Sequence, residues 1–150
     1  MEQKWHKGCF DVGNPMYILV VDDDSGIRCA LSTLITRTKH KVVTAVDGSD
    51  ALQCVAQAQT PFDLIITDHN MPGMSGSEFV GQLRGICHSA KVIVFAANVS
   101  SEDERRYHDL DVKKMLTKPF GFEELIEILD GLAKLSAKAQ IFWLESGTIA

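Results

Sequence analysis

The chain has 150 residues, 45% hydrophobic and 23% charged, which suits one globular domain large enough to bury a core without disulfide staples. A net charge of −5 with no basic cluster argues against nucleic acid or an anionic membrane as a partner of this chain. No apolar run approaches the ~20 residues that span a bilayer, and MEQKWHKGCF lacks the apolar core of a signal peptide; with Cys9, Cys29, Cys54 and Cys87 forming no C-x-x-C pair, the reading is a reduced, cytoplasmic protein.

Residues 1–15 show no clear periodicity and end in Gly13-Asn14-Pro15, so they read as an N-terminal extension. Tyr17–Val21 is a short β-branched apolar run, the pattern of a strand covered on both faces. Ser25 is a candidate cap for an amphipathic helix over Ile27–Thr38. Lys41–Val46 reads as a second strand and Ser49–Ala58 as a second helix, which Thr60-Pro61 ends. Phe62–Thr67 is a third buried strand. After a glycine-rich loop, Ser77–Cys87 reads as a helix with Phe79, Val80, Leu83 and Ile86 on one face. Val92–Phe95 is a fourth strand, and Ser101-x-x-Glu104 has the form of a capping box that opens a short polar helix. Val112–Leu116 is a weaker fifth strand, and Phe122–Lys138 an amphipathic last helix. The body thus spans residues 16–138, and 139–150 form a tail that extends the last helix, folds back or meets a partner. Five repeats of strand then helix imply an α/β fold, a parallel sheet with helices on both faces.

In such a sheet, ligands bind outside the carboxyl ends of the strands, where strand order reverses. The first strand delivers Asp22, Asp23 and Asp24 to that rim; the third delivers Asp68, the fourth Ala96-Ala97-Asn98 and the fifth Thr117-Lys118-Pro119. Aspartates often follow strands merely as helix caps, and for Asp24 or Asp22 alone that explanation suffices. It does not explain carboxylates from two strands converging with a lysine. Clustered carboxylates need a cation or a raised pKa, and all-oxygen ligands on short loops suit Mg²⁺. An aspartate can also be a phosphoryl acceptor, leaving the protein to position the group and neutralise its charge. Lys118 precedes Pro119, where a cis bond is far commoner than elsewhere and would aim the lysine inward.

ILVVDDDSGIR, FDLIITDHNMPGMSG, KVIVFAANV and MLTKPF, in order and spacing from about Met16 to Leu135, resemble the receiver domain of two-component response regulators, chemotaxis regulators included. The resemblance implies a flavodoxin-like doubly wound (βα)5 sandwich with strand order 2-1-3-4-5. It implies that Asp68 accepts a phosphoryl group from a histidine kinase or phosphotransfer protein. By the same resemblance, Mg²⁺ is held by Asp23 directly, by Asp22 partly through water, by Asp68 and by the backbone carbonyl of Asn70, while Lys118 pairs with Asp68 and then with the phosphoryl group. A receiver is not an enzyme in the ordinary sense, since it promotes only its own phosphorylation and dephosphorylation.

Four positions depart from the family pattern. Counting back from Lys118 puts Ala96 where the family carries a Thr or Ser hydroxyl, and Met115 stands where it often carries Tyr or Phe. Asp111 and Val112 replace a small Gly-Ala pair. The missing hydroxyl removes one bond to a charged acceptor, worth about 1.5–3 kcal/mol. The leading expectation is a phosphorelay switch without an output domain in this chain. It would act by contact with a downstream target protein, as a monomer or weak dimer through the helix 4, strand 5, helix 5 face. Two other readings are a constitutive binding module uncoupled by Ala96 and Met115, and a haloacid-dehalogenase-type phosphohydrolase suggested by Asp22-x-Asp24.

Overall fold

The computed structural model describes the backbone of residues 15–145 and the side chains of residues 15–135. Ten elements alternate: β1 (Tyr17–Val21), α1 (Ser25–Arg37), β2 (Lys41–Ala45), α2 (Gly48–Gln57), β3 (Leu64–Asp68), α3 (Gly76–Ile86), β4 (Lys91–Ala96), α4 (Ser101–Asp109), β5 (Lys114–Thr117) and α5 (Phe122–Glu145). The five strands are all parallel, in the order β2-β1-β3-β4-β5. This is the flavodoxin-like arrangement that the resemblance implied. Among the described residues, 16–122 form one compact unit and 123–145 belong to a second.

Within residues 16–122, the central strands are apolar on both faces because both are covered. All five residues of β3 are buried, as are the last four of β1 and the last five of β4. Alternation sends Leu19, Val21, Ile65, Val92 and Val94 into a core with Ala51 of α2, Phe79, Val80 and Leu83 of α3, and Tyr107 of α4. The intervening Ile18, Val20, Leu64, Ile66, Ile93 and Phe95 take the other face, and are buried too, as are Leu31 and Ile35 of α1. The edge strand β2 is only partly covered. In α5, Leu125, Leu129 and Ala133 recur every fourth residue and are buried.

The sequence-based boundaries shift in several places, each for a local reason. Asp24, not Ser25, caps α1, since its carboxylate accepts from the N–H groups of Gly26 and Ile27. The helix-opening box of α4 lies one residue earlier than expected. Ser100 accepts from the Asp103 N–H and donates to its carboxylate, because residue 100 keeps the extended backbone that a cap requires. Ile86 does not share the buried face of α3. It is the last helical residue, 57% exposed, and borders a cleft with Val55, Phe62 and Cys87. The tail begins as helix, with α5 running unbroken to Glu145; residues 1–14 and 146–150 lie outside the described residues.

β5 starts at Lys114 rather than Val112 because the chain is still closing α4. Asp111 and Val112 donate back to the carbonyls of His108 and Tyr107, with Asp111 in the left-handed region at φ 58°. That conformation suits glycine and is tolerated by Asp; for a β-branched residue it costs on the order of 1–2 kcal/mol. Asp111→Val is therefore expected to lower the unfolding free energy by about that amount in urea titration, while Asp111→Gly keeps or raises it.

Candidate functional site

β1 and β3 are hydrogen-bonded neighbours with Val21 opposite Thr67, so the next residues, Asp22 just past β1 and Asp68 at the end of β3, come side by side at the rim of the sheet. Asp22 is 1% exposed and Asp68 6%, whereas Asp23 stands in solvent. Carboxylate oxygens of the three lie within 4.8 Å of one another. From the far edge of the sheet, the Lys118 Nζ reaches to 3.1 Å from Asp68 Oδ1 and 3.6 Å from Asp22 Oδ2. The Lys118 N–H donates to the Ala96 carbonyl, which holds the end of β5 against β4, and the Lys118-Pro119 bond is cis.

Asp22 is fixed by its surroundings. Its N–H donates to the Ala45 carbonyl, its own carbonyl accepts from Arg28 Nη1 at 2.7 Å, and its Oδ1 accepts from the Asp24 N–H at 2.9 Å. Its Oδ2 is buried and receives no hydrogen bond from the described residues, since Lys118 stands too far for one. Burial pushes the Asp22 carboxyl above the ordinary value of 3.8, and the Asp68 and Asp23 charges push the same way; the Asp24 N–H and Lys118 oppose them.

Three carboxylates against one ammonium leave a formal −2 when all are ionised. At about 4 Å and an effective dielectric of about 20, each pair of unit charges interacts by roughly 4 kcal/mol, so the imbalance is not a small matter. An all-oxygen donor set, one buried oxygen without a donor and a residual double negative charge fit a hard divalent cation. Asp22, Asp23 and Asp68 would supply the carboxylate ligands. Asn70 lies exposed two residues after Asp68.

The other expected residues fall near this rim. Ala96 is the last residue of β4 and buried, with Thr117 as its register partner. Its methyl group can neither donate nor accept. Met115 is half-buried opposite Val94, and Asn98 is exposed. Asp24 serves as the α1 cap, which accounts for it without a hydrolase role. Sequence reasoning missed His69 and Tyr107, both buried, which share a hydrogen bond beside Asp68. The available signal was the single tyrosine in a helix otherwise made of polar residues.

The family description "Response regulator receiver domain" matches residues 18–130. The chain belongs to the response regulator receiver domain family. The receiver is 36% identical over 122 residues to the transcriptional regulatory protein KdpE of Mycobacterium tuberculosis, covering 81% of this chain and 53% of that protein. It is 32% identical over 117 residues to PrrA of Mycobacterium leprae, covering 78% and 49%. The chain therefore spans about half the length of these curated relatives. Among solved structures, chemotaxis protein CheY4 of Vibrio cholerae is similar at a TM-score of 0.71 and 32% identity, over 79% of this receiver and 98% of that chain. A CheY-like protein of Methanospirillum hungatei, at a TM-score of 0.77 and 21% identity over 83% and 98%, shares the fold. Neither the hydrolase nor the constitutive module gains support from these likenesses. No described helix is long and apolar enough to cross a membrane.

The raised Asp22 pKa has a sign for stability. A carboxyl whose folded value lies above its unfolded one contributes stability that is fully present below the unfolded value and lost as pH rises through the folded one. In metal-free buffer, Asp22→Asn is thus expected to raise the melting temperature at neutral pH, with the gain shrinking as pH falls toward 3.8. Circular dichroism melts across that range check it. Added Mg²⁺ should raise the wild-type melting temperature more than the variant's.

Proposed function

We propose that this receiver takes a phosphoryl group on Asp68 from the phosphohistidine of a histidine kinase or phosphotransfer protein, with Mg²⁺ held by Asp22, Asp23, Asp68 and the Asn70 carbonyl. The observation that carries this reading is the 3.1 Å approach of Lys118 to an Asp68 oxygen within the acid cluster. In the transfer, a carboxylate oxygen of Asp68 forms a bond to phosphorus as the N–P bond breaks, and the imidazole leaves with the electron pair. Lys118 holds the acceptor in place and offsets charge as the phosphoryl oxygens arrive. Bound Mg²⁺ would supply further charge neutralisation. Water attacking the same phosphorus returns the carboxylate, so the domain acts catalytically only on itself. We place the receiver in the cytoplasm, passing its signal to a downstream protein by direct contact.

Acetyl phosphate with Mg²⁺ should add the mass of one phosphoryl group to the wild type and none to Asp68→Asn. Equal gain in both would refute the assignment. Ala96→Thr restores a hydroxyl at the end of β4, and titration should show beryllofluoride binding tighter by roughly tenfold or more, the yield of about 1.5–3 kcal/mol for a bond to a charged acceptor.

A further inference from the structure

We propose that His69 and Tyr107 form a hydrogen-bonded relay from the phosphoacceptor strand to α4. The proposal rests on the reading of Asp68 as acceptor. His69 follows Asp68 directly and is 8% exposed. Its N–H donates to the Phe95 carbonyl and its own carbonyl accepts from the Gly76 N–H, both at 2.8 Å, so its backbone joins β4 to the start of α3. Any shift of the chain at residue 68 is thus imposed on residue 69.

The His69 ring then reaches α4 at two points. Nδ1 shares a hydrogen bond with the Tyr107 hydroxyl, the two rings meet edge to face, and Nε2 lies 3.6 Å from Asp103 Oδ2. In the tautomer whose Nε2–H faces Asp103, the tyrosine donates. Tyr107 is the buried residue of α4, at 1% exposure, and Asp103 lies one turn earlier on the same side. Asp103 in turn accepts from the hydroxyl of Ser77 in the first turn of α3 and from Ser100, the α4 cap, each at 3.0 Å. One polar chain therefore links β3, α3 and the first turn of α4, buried at His69, Tyr107 and Ser77 and reaching the surface at Asp103 and Ser100.

Gly76 shows how close the buried part of this polar chain is to the acceptor. A Cβ there would lie 2.6 Å from the Tyr107 hydroxyl oxygen, 2.7 Å from the Asp68 carbonyl oxygen and 2.8 Å from the His69 Cα. Only glycine leaves room for the hydroxyl to pack beside the Asp68 backbone. The electrostatics agree, for burial and then the charges of Asp103 and Asp68 hold the Tyr107 hydroxyl above its ordinary range. Buried, hydrogen-bonded groups shift between discrete arrangements rather than deform smoothly, which is what a relay needs.

The test is amide exchange with and without beryllofluoride and Mg²⁺, in the wild type, Tyr107→Phe, His69→Leu and His69→Asn. In the wild type, beryllofluoride should change exchange around residues 22, 23 and 68 and also across residues 101–109. Tyr107→Phe keeps the ring and loses the hydroxyl; it should bind beryllofluoride as the wild type does, while its α4 response falls roughly fivefold or more, the low end of an allosteric coupling. His69→Leu should behave likewise, and His69→Asn, which keeps a polar group near Nδ1, should restore part of the response. A full α4 response in Tyr107→Phe or in His69→Leu overturns the relay, as does a wild type whose α4 is unmoved while the acid cluster responds. A wild type unmoved at both places overturns the acceptor reading, and the relay with it.

Discussion

The carboxylates of Asp22, Asp23 and Asp68 are held within 4.8 Å of one another against their mutual repulsion, which the Lys118 ammonium and the Asp24 N–H bond to Asp22 only partly offset. Roughly 4 kcal/mol per like-charged pair at such range is a sizeable share of the 5–15 kcal/mol that keeps a domain folded. The cluster therefore depends on the rest of the fold. Burial of the central strands on both faces makes β1 and β3 rigid neighbours, the Arg28 and Asp24 bonds fix Asp22, and the pairing of β5 with β4 brings Lys118 across. A site assembled in this way is poised for added positive charge and for a ligand whose oxygens Lys118 can meet.

The departures at Ala96 and Met115 remove contacts but leave the cluster itself intact. Ala96 keeps its place at the end of β4, with its carbonyl accepting from Lys118, so the backbone frame of the site survives the loss of a hydroxyl. Beside that frame, the polar chain through His69, Tyr107 and Asp103 ties the residue after Asp68 to α4. Binding chemistry and its transmission are thus carried by different side chains, and change in one need not abolish the other.

Much of this was legible in the sequence, and the physical reasons differ by element. The strands were visible because burial on both faces demands continuous β-branched runs. The site was visible because parallel sheets gather strand ends on one rim, so that Asp22, Asp23, Asp68 and Lys118 could be placed together without coordinates. Caps were less readable, since Asp24 next to Ser25 and Ser100 next to Ser101 offer two suitable side chains, and only the backbone at each residue decides between them. The end of α5 was obscured because nothing in residues 139–145 is Gly or Pro to stop a helix. His69 and Tyr107 were hidden for a third reason: they lie 38 residues apart, and neither residue type announces a partner at such distance.

The central claim is that Asp68 carries the phosphoryl group. Borohydride reduction of the acyl phosphate, followed by peptide mass mapping of protein treated with acetyl phosphate and Mg²⁺, locates the modified side chain directly. The account predicts reduction of residue 68 to homoserine with Asp22 and Asp23 unchanged; reduction at Asp22 or Asp23, or a phosphoryl group found on a hydroxyl side chain instead, would contradict it.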